Sequence, residues 1–281
     1  MQKFVKVESL KNRISFLKHN FQTIGFVPTM GALHDGHISL LKESKLNNDI
    51  TVCSIFVNPT QFNNPDDLLK YPKTIEEDIK KLKKVGTDIL FLPNVKEIYP
   101  NGNTYIEQEV NLDGLDLLWE GEFRPGHFAG VVQVVQRLLN IVDPDNLYMG
   151  QKDFQQHVII NKMLQQLHSK TVLNVVPTKR EKSGLAMSSR NVRLSEEERI
   201  KSLVLYDMLN FAKDHFVEMN VIDIENYAIS KIKEKGLNPE YFKIVSDNNL
   251  KQFDNNSKGK PVAIVAAWMG NVRLIDNMYL N

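Results

Sequence analysis

Apolar and polar positions recur along the chain at two periods, and the switching between them outlines the elements. Leu10, Ile14 and Leu17 stand at helical spacing and predict an amphipathic helix ahead of residue 22. Continuous apolar runs at 23–27, 50–57 and 88–93 are too short for helices and predict buried strands. Between them, residues 38–44 predict one helix. A second is predicted from Thr74, with Thr74 and Glu77 forming a capping box, Ile75, Ile79, Leu82 and Val85 its buried stripe, and Gly86 its end. Lys80, Lys81, Lys83 and Lys84 are expected on its solvated face. Residues 97–130 follow no period, and 120–130 pack turn formers around charged and aromatic residues, as functional loops do. Val131, Val134, Val135, Leu138 and Leu139 predict an apolar core helix that stops at Asp143-Pro144-Asp145.

A strand at 146–149, a helix running through Met163-Leu164 and a strand at 171–176 complete a β-α-β rhythm, which predicts a parallel sheet covered by helices. Beyond it the pattern changes. Ser195 and Glu198 form a capping box that starts one long helix over Leu203, Leu205, Leu209 and Phe216, and a second helix runs from about Asp223 to Lys235, ended by Gly236. Closely spaced strands follow near 241–245, 262–268 and 272–275. The fold class is therefore α/β, with a parallel-sheet domain over residues 1–178 and a smaller α+β domain over 179–281.

Composition narrows the function classes. With 35 basic against 34 acidic residues the chain has no surplus charge for wrapping nucleic acid or docking on a membrane. The first residues lack a signal-peptide core, and no apolar stretch approaches a membrane span. The single cysteine, Cys53, lies in an apolar strand and is expected to be buried and inert, which suits a reducing compartment; the expected location is cytoplasmic.

The chemistry gathers at turns that follow strands. After the strand at 23–27 comes Met30-Gly31-Ala32-Leu33-His34-Asp35-Gly36-His37, then a helix; helix N-termini and imidazoles both bind phosphoryl oxygens, and the spacing of His34 and His37 turns both rings toward one group. The same pair could hold a metal, but no third ligand accompanies it. The strand at 50–57 ends in Asn58-Pro59-Thr60-Gln61, so Gln61 is a candidate substrate contact on the facing lip of a cleft. Gly150-Gln151-Lys152-Asp153 repeats the strand-turn-helix arrangement, placing a lysine at a phosphate and Gln156 toward the cleft. Met187-Ser188-Ser189-Arg190 is a third anion-binding candidate. Glu77 and Asp78 are weak candidates for a site beside a magnesium nucleotide.

Together these residues resemble a known family. His34-Asp35-Gly36-His37 is similar to the His-x-Gly-His element of nucleotidylyltransferases and class I aminoacyl-tRNA synthetases, and Met187 to Arg190 resembles their second phosphate loop. Adding residues 27–33, Asn58-Pro59 with Gln61-Phe62, Arg124-Pro125-Gly126-His127-Phe128 and Lys152-Asp153 with Gln155-Gln156, the ordered set resembles the pantothenate synthetase family over residues 26–191.

The resemblance implies a Rossmann-like N-terminal domain, a C-terminal domain that closes as a lid, and a homodimer. It implies a ligase that converts ATP, pantoate and beta-alanine, with Mg2+, to pantothenate, AMP and pyrophosphate through a pantoyl adenylate. It assigns His37, His34, Lys152 and Arg190 to catalysis. ATP would meet residues 30–37, Gly150, Gln151, Lys152, Asp153, the backbone of Lys179, and Met187, Ser188, Ser189 and Arg190; Gln61 and Gln156 would hold pantoate, Gln61 also lying near beta-alanine. The chain departs from the family pattern at Gln151 (commonly glutamate), Phe154 (tyrosine), Thr60 (methionine) and Lys179 (an apolar residue). Three alternatives stand beside it: the first is adenylyl transfer to a phosphate-bearing acceptor, which the uncharged Gln61 and Gln156 disfavour, and the second an RNA-binding synthetase-like module, for which the C-terminal third offers no basic or anticodon-reading domain. A catalytically inactive binding protein is the third, and the full set of phosphate contacts argues against it.

Overall fold

In the computed structural model, which describes residues 1–62, 68–69, 71–102, 108–254 and 256–280, the apolar runs form one six-stranded sheet in the order β1-β4-β3-β2-β5-β6. The strands are β1 (Gln2–Phe4), β2 (Ile24–Thr29), β3 (Ile50–Ile55), β4 (Ile89–Phe91), β5 (Asn146–Gly150) and β6 (Val172–Val176), and every pairing is parallel. Both faces of such a sheet must be covered, and successive side chains divide accordingly. Phe26, Val52, Phe91 and Leu147 share a core with α1 (Val7–His19), α4 (His127–Val142) and α5 (Phe154–Gln166). Val27, Cys53, Leu90 and Tyr148 join Leu40 and Leu41 of α2 (Asp35–Asn47) and Leu82 of α3 (Ile75–Val85) on the other face. Burial pushes the Cys53 thiol up to about 12, so it is packing, not a nucleophile.

Chain direction across the sheet changes at β2. From β2 the strands proceed to β3 and β4 on one side, and from β5 to β6 on the other, so the crevice outside the carboxyl ends of β2 and β5 is a topological switch point. Gly25 lets α2 lie directly on β2, because a Cβ there would collide with the Ser44 hydroxyl and the Asn48 amide. That seats the N-terminus of α2 at the mouth of the crevice.

The last third forms α6 (Val204–His215) and α7 (Val221–Glu234) against an antiparallel sheet of β7 (Asn238–Ser246), β8 (Pro261–Met269) and β9 (Val272–Tyr279). Phe242, Ile244, Ala263 and Val265 pack on these helices, whereas Tyr241, Val245 and Ile264 belong to the large core of the parallel sheet. One face of the small sheet therefore looks into its own helices and the other over the crevice.

Three local expectations change. Thr74 does not cap α3 with its side chain; its hydroxyl donates to the Asp78 carboxylate (3.2 Å), which has a larger task. The long helix after Ser195 is two, Glu196–Lys201 and α6, because the buried Ser202 hydroxyl bonds back to the Glu198 carbonyl (2.7 Å) at the break. Lys81 is not merely solvated: its ammonium donates to the Leu33 carbonyl.

Candidate active site

The turn after β2 is built from behind. Gly31 (φ 85°) and Ala32 (φ 49°) both take left-handed backbone, which for alanine costs about 1 to 2 kcal/mol. The fully buried Asp78 holds them there, accepting the amide protons of Ala32 (2.9 Å) and Leu33 (2.8 Å). Charge-assisted bonds of this kind contribute about 1.5 to 3 kcal/mol each, enough to offset the alanine strain. The expectation that Glu77 and Asp78 lie beside a magnesium nucleotide is corrected: Asp78 spends its oxygens on the turn's backbone, Glu77 is exposed, and neither lines the crevice.

His34 is the N-cap of α2, its Nδ1 accepting the Gly36 amide proton (3.1 Å), and the Nδ1 of His37 accepts the His34 amide proton (3.3 Å). The imidazoles thus cap the helix whose open amides the sequence suggested as the anion site. Because each Nδ1 accepts a backbone proton, the neutral rings carry their own proton on Nε2, as donors. Burial lowers His34 to about 4, with Lys152 adding to the shift, and burial together with His34 lowers His37 to about 3. The rings lie 4.1 Å apart and both line the crevice, so the pair presents two neutral N–H donors near one place.

Of the remaining first-turn residues, Met30 and Gly36 line the crevice, while Gly31, Ala32, Leu33 and the exposed Asp35 do not. In the second turn Gly150, Lys152 and Asp153 line it, Lys152 lying 3.4 Å from the Asp153 carboxylate, with Gln156 beside them. Gln151 does not: its amide proton goes to the Val176 carbonyl (2.8 Å) and its side chain to Asn277 (3.2 Å). The third group arrives on the connection from β6. Lys179, Met187, Ser188, Ser189 and Arg190 all line the crevice, the Lys179 carbonyl accepting from the Met187 amide (3.0 Å) and the Ser188 hydroxyl from the Arg190 amide (3.2 Å).

Gln61 is buried and lines the crevice beside the first turn. Its amide NH2 reaches the Met30 sulfur (3.2 Å) and its carbonyl accepts from Asn58 (3.2 Å), which also donates to the Gly130 carbonyl (3.1 Å) and accepts from the Tyr99 hydroxyl (2.7 Å). Gly130 is required there, since a Cβ would strike the Thr60 carbonyl. His127 Nδ1 bonds the backbone carbonyl of Gln61 (2.8 Å).

Sequence reasoning missed Asn58 as the hub behind Gln61, and it missed the ties from the small sheet. Arg273 of β9 bridges Glu120 (2.6 Å) and Glu240, Arg180 pairs with Asp276, and Asn277 reaches Gln151 and Lys152. A signal existed in β9, where Arg273, Asp276 and Asn277 interrupt an apolar run.

Burial also lowers His127 and His157 to about 4, well below the unfolded value near 6.5, with Arg124 adding to the shift at His127 and the nearby carboxylates opposing it only in part. Both are neutral when folded, so the unfolded chain binds more protons as pH falls through that window. Stability is expected to be full above pH 6.5 and to fall toward pH 4 by up to about 1.4 kcal/mol per pH unit for each. Urea melts at pH 7.5 and 5.0 check this; equal midpoints would overturn it.

A parallel sheet with a switch-point crevice, lined by a histidine-capped turn, a lysine turn and a serine-arginine loop, defines a nucleotide-binding α/β enzyme. The family model for pantoate-beta-alanine ligase matches residues 2–279, and the chain belongs to that family, ligases that join pantoate to beta-alanine. It is 44% identical over 277 residues to a pantothenate synthetase of Bacteroides fragilis, covering 97% of this chain and 96% of the relative. It is 42% identical over 280 residues to that of Flavobacterium psychrophilum, covering 99% of each. The crystal structure of pantothenate synthetase from Thermus thermophilus superposes with a TM-score of 0.91 at 36% identity, over 100% of this chain and 99% of that one. The pantoate-beta-alanine ligase of Francisella tularensis, complexed with beta-gamma ATP and beta-alanine, matches with a TM-score of 0.84 at 37% identity, over 100% and 98% of the two chains.

Proposed function

We propose that the switch-point crevice condenses pantoate with beta-alanine through a pantoyl adenylate, and that the residues converging on it divide the work. The carrying observation is that three groups suited to phosphate, His34 with His37, Lys152, and Ser188 to Arg190, line one crevice together with the uncharged amide of Gln61, which touches Met30 of the histidine turn. Pantoate's carboxylate is already anionic, so its attack on the α-phosphorus needs no general base. The demand is to stabilise charge as pyrophosphate leaves, and donors fixed in place before the reaction do this without reorganising. The Nε2–H groups of His37 and His34, the Lys152 ammonium and the Arg190 guanidinium are those donors. Gln61 and Gln156 hold pantoate by its hydroxyl and carboxylate oxygens. The amine of beta-alanine, near Gln61, then attacks the adenylate carbonyl, forming the amide bond and expelling AMP; no enzyme nucleophile is used, in keeping with the buried Cys53.

Mg2+ enters as part of the nucleotide substrate, with phosphate oxygens and water as its ligands. Among the described residues no group of three or more His, Cys, Asp or Glu could hold a metal, so no step is assigned to a resident ion. The 179–281 segment acts as a lid hinged near residue 178. The ties of Arg273 to Glu120 and of Asn277 to Gln151 and Lys152, which cross residue 178, support that role. The exposed Val172 and Val175 on the edge strand β6 support a homodimer. No helix among the described residues is long and apolar enough to cross a membrane, and with the unpaired Cys53 this supports a cytoplasmic place.

Single-turnover release of AMP and pyrophosphate from MgATP and pantoate, with and without beta-alanine, tests the proposal. Pyrophosphate and an enzyme-held adenylate without the amine, and AMP with pantothenate once it is added, are the expected results. A folded protein that binds ATP yet forms neither product would sink it.

A further inference from the structure

Asn277 sits in β9 of the small sheet, is 1% exposed, and reaches across to the lysine turn of the large one. Its Nδ2 donates to two successive backbone carbonyls, those of Gln151 (3.0 Å) and Lys152 (2.9 Å), and its Oδ1 accepts from the Gln151 side-chain amide (3.2 Å). Carbonyls only accept, so the two donations fix which way the Asn277 amide faces, and Gln151 must then present its NH2. The opposite face of the turn is set by the Gln151 amide on the Val176 carbonyl (2.8 Å). The backbone from which Lys152 projects is thereby held from both sides, one of them belonging to the other sheet.

We propose that Asn277 is a positioning residue for Lys152: it fixes the carbonyls of residues 151 and 152 so that the Lys152 ammonium meets the nucleotide phosphates only while the small sheet is docked. This rests on the assignment of Lys152 to the phosphates. It also gives a reason for glutamine at 151 in this chain. A glutamate there would set a carboxylate against the Asn277 carbonyl oxygen, and Asn277 could satisfy it only by turning its NH2 away from the two backbone carbonyls.

The test is pantoate-dependent exchange of labelled pyrophosphate into ATP. Asn277→Ala is expected to raise the KM for ATP by about tenfold, a displaced catalytic charge being costly over an ångström or less, and to leave the KM for pantoate within about twofold. In a Lys152→Ala background the same substitution should change the KM for ATP by less than about twofold, because the group it acts through is gone. Gln151→Glu should shift the KM for ATP in the same direction, and it decides the matter if Asn277→Ala does not fold. Equal rises for both substrates, an undiminished effect in the Lys152→Ala background, or an unchanged KM for ATP in Gln151→Glu overturns the proposal. If the unmodified enzyme shows no exchange, the functional assignment fails instead, and the ATP dissociation constants of the same variants decide the positioning role.

Discussion

Alanine at position 37 should slow adenylate formation by about a hundred- to a thousandfold, the usual consequence of removing one fixed donor from a developing anion. The effect follows from the ring's state. His37 is held neutral by burial, at a pKa of about 3, with Nδ1 engaged by the His34 amide, so Nε2–H is a donor on the crevice wall, the state the proposed mechanism requires. Its structural contribution is small by comparison, because a 3.3 Å capping bond is worth about 1 kcal/mol at most. The protein should therefore fold, bind ATP and fail at chemistry. Rapid-quench measurement of pyrophosphate release in a single turnover separates these, and normal turnover by folded His37→Ala protein would remove His37 from the mechanism.

The second large effect is on stability. The Arg273 guanidinium donates to both Glu120 oxygens (2.9 and 2.6 Å) and to Glu240 (2.8 Å), while the Tyr241 hydroxyl donates to Glu120 (2.7 Å) and the Trp268 indole to Glu240 (2.6 Å). Burial pushes the Glu120 carboxyl up, but the Arg273 bonds and charge outweigh it and hold the group below the usual carboxylate range. Arg273→Ala removes most of the compensation, leaving Glu120 with the more distant Arg124 (3.8 Å) and Glu240 without this ion pair, a loss of about 3 to 5 kcal/mol. The sign of the pH dependence is set by the same argument. Without Arg273 the burial of the Glu120 carboxyl pushes it up and it takes up a proton on acidification, so the destabilisation should be greater at pH 8 than at pH 5.5. Urea titrations at both values check this, and a loss under about 1 kcal/mol at pH 8 would show the network to be solvent-screened. Adding Glu120→Gln to Arg273→Ala should recover part of the loss.

The order of strands and helices was legible because apolar runs and helical stripes are local facts. Phe26 and Val27 announce a strand wherever they are, and Gly86 (φ 81°) ends α3 as its sequence position implies. That three separate turns would line one candidate site was legible, since glycine, histidine, lysine and serine after a strand carry their chemistry with them. What was not legible depends on partners far along the chain. Asp78 looks like any acid in the first turn of a helix until the turn 45 residues earlier is seen to close on it. Gln151 looks like a member of the lysine turn's inner surface until Asn277, 126 residues later, draws its side chain away. Thr74 and Glu77 match a capping box in spacing, but the buried carboxylate beside them competes for the hydroxyl. The break at Ser202 likewise turns on whether a serine's hydroxyl is buried, which spacing does not encode.

The clamp of Asp78 on Ala32 and Leu33 bears on how the nucleotide is met. A glycine-bearing turn left to itself samples many conformations, and a ligand that orders it loses affinity by the entropy of that ordering. Here the turn is already ordered by the chain itself, with two of its amides bonded to a carboxylate that no solvent reaches. The disorder is given up once, when the chain folds, and each later nucleotide finds the surface as it needs it.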